Sequence, residues 1–272
     1  MNKQIEVLID KYGLTHLKEE LINTVFPCVK VVPRQERTVT IGSSKMGGIP
    51  DFPATFEYPT HKGNPLQFIA QFNLKDLQSI GMDHDLPKTG MLYFFTIENY
   101  FEEDVNPTEA GRVLYYDVPV EQLRRVDELQ PNYNQCATTF ELTYKLPELF
   151  IEDEADSDRF LQLLEELIPD NYDNHQMFGE PFSVQNEVLY ETGQYMDIDQ
   201  QQMTLLFQID SDTKNCNMMW GDLGMLYFCI GNEDLKIDVL KMRVVYYKLV
   251  NEKGCSCKKN NPFTMLNMHN LI

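Results

Sequence analysis

The sequence predicts an α+β fold of two related halves from an internal duplication, mainly antiparallel sheet, with helices preceding each half. Three observations carry that expectation. Gly90-Met91-Leu92-Tyr93-Phe94 recurs letter for letter as Gly224-Met225-Leu226-Tyr227-Phe228. Each copy is preceded, in the same order, by a Gly-x-Pro (Gly48-Ile49-Pro50 and Gly179-Glu180-Pro181) and by an apolar run holding a glutamine (Gln71 and Gln208). The offsets 48 to 179, 71 to 208 and 90 to 224 are nearly constant, the mark of a duplicated unit. Finally, many short β-prone runs are joined by hairpin-length links and do not alternate regularly with helices, which argues against a doubly wound parallel sheet. The chain reads as a single domain over 1–272, with repeats at about 28–145 and 156–250 and a polar tail at 251–272.

Taken in order, Ile5, Leu8, Ile9 and Tyr12 share a helical face, continued by Leu14, Leu17, Leu21 and Val25, with Gly13 a break. Cys28–Val32 and Thr38–Ile41 are β-prone, and Pro33 should end the first. Ser43 to Pro53, rich in Gly and Pro, reads as a loop. Leu66–Phe72 is a buried strand, followed by a helical turn capped by Asn73 and stopped by Gly81. Met91–Ile97, Arg112–Asp117 and Thr138–Tyr144 are further strands, and the acidic stretch Glu98–Glu109 is a solvated loop. Asp156–Ile168 is the clearest helix: Phe160, Leu161, Leu164, Leu167 and Ile168 make one apolar face and Pro169 stops it. Val184–Tyr190 fits helix or strand; Met203–Ile209, Met225–Ile230 and Val239–Leu249 are strands.

The 272 residues are 43% apolar, enough for a sizeable core, and no run approaches the ~20 consecutive apolar residues of a spanning helix. The first residues lack the basic head and apolar centre of a signal peptide, so a cytoplasmic location is the expectation. The net charge of −19 is concentrated: residues 98–199 hold 25 of the 42 acids but 5 of the 23 basic residues. Nucleic acid and anionic membrane are therefore poor partners, because both need a basic footprint. A basic protein partner fits the acidic middle, although acids that merely keep a surface soluble give the same composition. A monomer is expected.

Searching for chemistry yields little. Gly47-Gly48 lacks the spacing of a phosphate loop, and glycines placed for a tight turn account for it better. The five histidines are scattered, and Cys255-Ser256-Cys257 has no second pair to complete a metal set. Asp197-Ile198-Asp199 and Asp210-Ser211-Asp212 could share a hard cation, but aspartates also favour turns. No nucleophile sits in a local catalytic signature, so no catalytic residue, metal or cofactor is assigned. Trp220, the sole tryptophan, reads as packed rather than as an exposed platform. Gln71 and Gln208, polar within apolar strands, either satisfy backbone groups of a nearby Gly-x-Pro loop or face a ligand cleft; the first is the stronger reading.

Lys45-Met46-Gly47-Gly48-Ile49-Pro50, Pro65-Leu66-Gln67-Phe68-Ile69-Ala70-Gln71 and Gly90 to Phe95 resemble the YwqG-like family. So do Leu205 to Asp212 and Met218-Met219-Trp220-Gly221-Asp222. The resemblance covers residues 1–250 or so. It implies a cytoplasmic, mainly bacterial α+β protein with two related halves, and no established activity or catalytic residues.

Two classes of function remain: a non-catalytic binding or interaction protein, and an enzyme or small-ligand sensor with its site in a cleft between the halves. Any ligand site is expected where the loops Lys45–Asp51 and His175–Pro181 face one groove, with Lys45, Gly47, Gly48 and Gln71 from one half. His175, Gly179 and Gln208 come from the other, joined by Asp210, Asp212, Trp220 and Asp222. The six cysteines show no disulfide framework. Alkylation without reductant followed by intact mass should count six modified thiols, and a stable intramolecular bridge would contradict the reading.

Overall fold

A computed structural model describes residues 3–36, 38–98, 105–125, 130–167, 174–183, 187–221 and 223–235, and the backbone of 241–242 and 244–249. The expectations for Asp222, for 99–104 of the acidic loop, for Ile168 and Pro169, for 184–186 and for the tail with Cys255 and Cys257 lie outside these residues.

The N-terminal helical pattern becomes α1 (Lys3–Lys11), with Ile5, Leu8 and Ile9 buried, and α2 (Lys18–Thr24). The break falls at Gly13, whose φ of 71° suits glycine. Next comes β1 (Phe26–Gln35), ten residues long and running straight through Pro33. Then follow β2 (Lys45–Met46), β3 (Asp51–Pro53), the small hairpin β4 (Thr60–His61) with β5 (Asn64–Pro65), and β6 (Gln67–Asn73). Thr38–Ile41 is irregular rather than a strand. Asn73 caps α3 (Leu74–Gln78), its side chain accepting from the Lys75 N–H. The first half continues with β7 (Met91–Thr96), α4 (Pro107–Ala110), β8 (Gly111–Tyr116), β9 (Leu123–Arg125) and β10 (Cys136–Lys145).

The clearest predicted helix is α5 (Glu154–Leu167), burying Phe160 and Leu163. After β11 (Gln176–Met177), the ambiguous stretch resolves from Val188 onward into α6 (Val188–Met196). The chain then forms β12 (Met203–Asp210), β13 (Met225–Gly231), α7 (Asn232–Leu235), β14 (Lys241–Met242) and β15 (Val244–Leu249). Among the described residues no helix is long and apolar enough to cross a membrane.

Eleven strands form one sheet in the order β14-β8-β7-β6-β2-β10-β1-β11-β12-β13-β15, every pairing antiparallel. Pro33 survives in β1 because of side and register. Val31, of the same parity, donates its N–H to the His175 carbonyl on the β11 side, so the missing N–H of Pro33 takes no bond from the β10 ladder. β14 pairs with β8 and β15 pairs with β13, so the segment 241–249 joins the two ends and the sheet curls nearly into a barrel.

Alternation along the strands sorts the side chains into two faces. Inside, Phe72, Phe94, Phe207 and Phe228 meet; Phe72 and Phe207, from strands that are not neighbours, lie 4.9 Å apart edge to face. Outside, Phe52 and Phe56 cover Tyr93 and Phe95, while Val188 and Met196 of α6 cover Leu205, Tyr227 and Cys229. A third cluster packs α1 and α2 against α5 through Ile5, Leu8, Ile9, Leu21, Phe160 and Leu163.

Truncating the inward aromatic should be far more damaging than truncating an outward one. Phe207→Ala is expected to cost about 3–5 kcal/mol in urea unfolding, against about 0.5 kcal/mol or less for the half-exposed Tyr190→Ala.

Candidate functional site

Three buried polar clusters hold most of the residues singled out by the sequence. The first forms where β2 lies beside β6, with Lys45 opposite Gln71. The loop after β2 returns Asp51 to both. Its carboxylate accepts from Lys45 Nζ at 2.9 Å, Arg125 Nε at 2.9 Å, Gln71 Nε2 at 2.9 Å and the Gly42 N–H at 3.1 Å. Gln71 Oε1 accepts from the Asp51 N–H at 2.8 Å, its Nε2 also donates to the Ser43 carbonyl, and the Tyr93 hydroxyl donates to the Asp51 carbonyl at 2.6 Å. Lys45 and Asp51 are both fully buried. Burial pushes the Lys45 ammonium down to about 8 in spite of Asp51. For Asp51, burial alone would raise the carboxyl, but Arg125 and Lys45 outweigh it and hold it below the ordinary value.

Gly47 and Gly48 close this cluster. Gly47 has φ 62°, and a Cβ there would sit 2.1 Å from the Asn134 carbonyl oxygen, so these glycines serve a tight approach between chain segments.

The second cluster surrounds Gln208. Its Oε1 accepts from the Phe182 N–H at 3.0 Å, its Nε2 donates to the Asn174 carbonyl at 3.0 Å, and the Tyr227 hydroxyl donates to the Phe182 carbonyl at 2.6 Å. Phe182 follows Gly179-Glu180-Pro181 as Asp51 follows Gly48-Ile49-Pro50. Gln176, opposite Gln208, donates to the carbonyls of Phe178 and Glu180. The ammonium here comes from elsewhere: Lys145 of β10 donates to Asn174 Oδ1 at 2.7 Å and Gln176 Oε1 at 2.6 Å. Burial lowers Lys145 to about 8 and raises the neighbouring Cys28 thiol to about 11. Alongside, a groove of about 210 Å³ opens between β10 and α5.

The third cluster is the turn after β12. The Asp210 N–H donates to Nδ1 of the fully buried His175 at 3.2 Å, so Nε2 carries the ring proton, and it faces Asp212 Oδ2 at 3.5 Å. Asp212 also accepts from the Asn215 N–H at 2.8 Å and side chain at 2.9 Å. Burial raises the Asp210 carboxyl, while Asp212 is lowered because its partners, His175 and Asn215, outweigh burial. Trp220, packed at 3% exposure, donates from its ring to the Asp210 carbonyl. Asp199 caps the short turn before β12, and Asp197 closes α6 at φ 57°. Both Asp-x-Asp pairs thus occupy turns, and among the described residues no group of three or more His, Cys, Asp or Glu is placed to hold a metal ion.

The sheet sets the two Gly-x-Pro loops apart. β2 and β11 lie on either side of the antiparallel β10–β1 pair and run in opposite directions. Gly47 and Gly48 lie against Asn134 and Gln135 at one end of that pair; Gly179 lies against Phe26 and Cys28 at the other. Gln135 lies eight residues (143 − 135) from Thr143, the partner of Cys28, about 26 Å at ~3.3 Å each. Gln176 faces Gln208 as Lys45 faces Gln71, so Gln176 rather than His175 holds the matching register position. Sequence reasoning missed Asp51, Arg125, Asn174 and Lys145. Asp51 carried a signal, an acid six residues after Lys45 in the same loop; Arg125 and Lys145 carried none, being brought in across the sheet.

The family described as a domain of unknown function (DUF1963) matches residues 44–249. The YwqG-like proteins are this family. No curated protein matches the chain.

The buried lysine gives the first cluster a pH signature. Lys45 has a folded value of about 8 against an ordinary 10.5, so between them the unfolded chain holds more protons and stability rises with pH. The Cys28 and Cys229 thiols, raised by burial from an ordinary 9.0, act oppositely above that pH, which leaves pH 8–9 as the window. Across it the urea midpoint of the native chain should climb relative to that of Lys45→Met; parallel curves would contradict the assignment.

Proposed function

The chain belongs to the DUF1963 family, and from that premise we propose that it is a non-catalytic, cytoplasmic binding protein that acts as a monomer on a basic protein partner. The observation that supports this reading is the use made of the buried polar groups. The Asp51 carboxylate is taken up by Lys45, Arg125, Gln71 and Gly42, and the Gln71 and Gln208 amides each hold the residue after a Gly-x-Pro. A general acid or base must instead reach a substrate proton. What is left for recognition is the surface, and α5 with the residues before it exposes Glu152, Asp153, Glu154, Asp158 and Glu165.

We read the two arms of the sheet as copies of one ancestral unit. Outward from β10–β1, the order β2, β6, β7, β8 matches β11, β12, β13, β15. The register shifts at matching places, between Phe68 and Ala70 and between Leu205 and Phe207.

The partner reading is tested by capture from native lysate with the native chain and with a variant carrying Glu152→Gln, Glu154→Gln, Asp158→Asn and Glu165→Gln. A Lys/Arg-rich protein should be retained by the native chain, lost with the variant, and released at about 1 M salt, where the Debye length is ~3 Å. Capture indifferent to those acids, or turnover of a co-purified small molecule, would overturn the reading.

A further inference from the structure

One strand of the sheet is paired along its full length on one side only. β1 covers all ten residues of β10, but on the other side β2 is two residues long and reaches Cys136 and Ala137. In an antiparallel ladder, successive residues point their N–H and carbonyl groups to opposite sides. Thr138 donates its N–H to the Ser44 carbonyl, on the β2 side. Phe140, Leu142 and Tyr144 share that parity, so their backbone groups point away from β1. Among the described residues, none of these groups takes a partner. The three residues are half-buried and Glu141 among them is exposed, so solvent reaches this edge. The acidic helix runs beside it: Leu142 lines one groove with Leu164 and Leu167 of α5. Lys145, the cation of the strand, turns across β1 to Gln176 of β11, away from the open side.

We propose that the edge of β10 from Phe140 to Tyr144 is where the basic partner engages, an extended segment of it adding to the sheet as a further strand. The inference rests on the basic-partner reading and supplies its mode of binding. Donors and acceptors on this edge recur every second residue, about 6.6 Å apart, which matches an extended backbone and not a helix or a compact ligand. Backbone bonds supply the affinity, and charge selects the partner. The selecting charges are the exposed acids of α5 and its approach, Glu152, Asp153, Glu154, Asp158 and Glu165. They also decide against the other natural occupant of an open edge, a second copy of this chain. Pairing β10 with itself would bring two acidic α5 helices together, and like charge opposes that.

The test uses the full chain and residue-resolved amide hydrogen exchange. In the free chain the amides of Phe140, Leu142 and Tyr144 should exchange about tenfold or more faster than those of Glu141 and Thr143, which the β1 ladder holds. The probe is an acetylated, amidated peptide of alternating lysine and valine, six residues long. At about 10 mM it should slow the three fast amides about tenfold and leave Glu141 and Thr143 unchanged. The same peptide methylated at every backbone nitrogen should have no effect, and a threonine–valine counterpart should bind about tenfold more weakly. Leu142→Pro removes a donor that the β1 ladder does not use, so it should weaken both the peptide and the captured basic protein about tenfold or more. If that variant does not fold, the peptide comparisons on the native chain decide. Slow exchange at Phe140, Leu142 and Tyr144 in the free chain would overturn the proposal. So would equal binding of the methylated peptide, no protection by the lysine–valine peptide, or a dimer of the native chain that Leu142→Pro dissolves. Capture of a basic protein alongside any of these results would overturn the edge and leave the α5 reading standing; no capture at all would overturn both.

Discussion

Ten consecutive residue pairs, from Phe26 with Lys145 to Gln35 with Cys136, join β1 to β10, and every other part of the molecule takes its direction from that ladder. Because the pairing is antiparallel, whatever is added on one side runs opposite to its counterpart on the other. β2 and β11 are each only two residues long, yet each carries a Gly-x-Pro loop away from the ladder, one toward each end. The local relation between each loop and its glutamine is the same, while the global relation between the loops is head to tail. Loops of similar sequence need not face one another, and here the antiparallel ladder sends them to opposite ends.

Each arm solves the same backbone problem with different electrostatics. A loop crossing the outer face of a sheet must satisfy its own N–H and carbonyl groups away from water. In both arms a glutamine and a tyrosine do this for the residue following Gly-x-Pro. The first arm adds an acid, Asp51, and with it Lys45 and Arg125, since a buried carboxylate requires close cations. The second has Phe182 at that place, and its cation, Lys145, is oriented by amide dipoles beside an open groove. In the first arm the cation meets a buried carboxylate; in the second it meets two amide oxygens.

Much of the secondary structure was legible because the strands are short, apolar and separated by Gly and Pro, as in Met91–Thr96 and Met225–Gly231. Pro33 misled because a proline ends a strand only when its missing N–H faces a partner, and which side it faces is a property of the sheet. Most of α6 escaped notice: Val188, Thr192, Gly193 and Met196 make its buried face, a mixture of sizes and polarities that periodicity alone does not pick out. The glutamines were legible as polar residues out of place in apolar runs. Arg125 and Lys145 were not: Arg125 lies 74 residues from Asp51, and Lys145 lies 29 and 31 residues from Asn174 and Gln176, and only the sheet brings them together. The position of Asn174 next to His175 likewise has no local signature that separates a backbone prop from a solvent-facing amide.

The way the sheet closes bears on how the chain is made. Residues 241–249 complete both edges at once, pairing with β8 through Lys241–Met242 and with β13 through Val244–Leu249. During synthesis those nine positions emerge after every other strand described here. Until they do, β8 and β13 both present unsatisfied edges, the surfaces on which nascent chains pair wrongly with one another. Until that segment pairs, the chain is a nearly complete barrel with two open seams, so the last step of folding is when it most needs protection from its own copies.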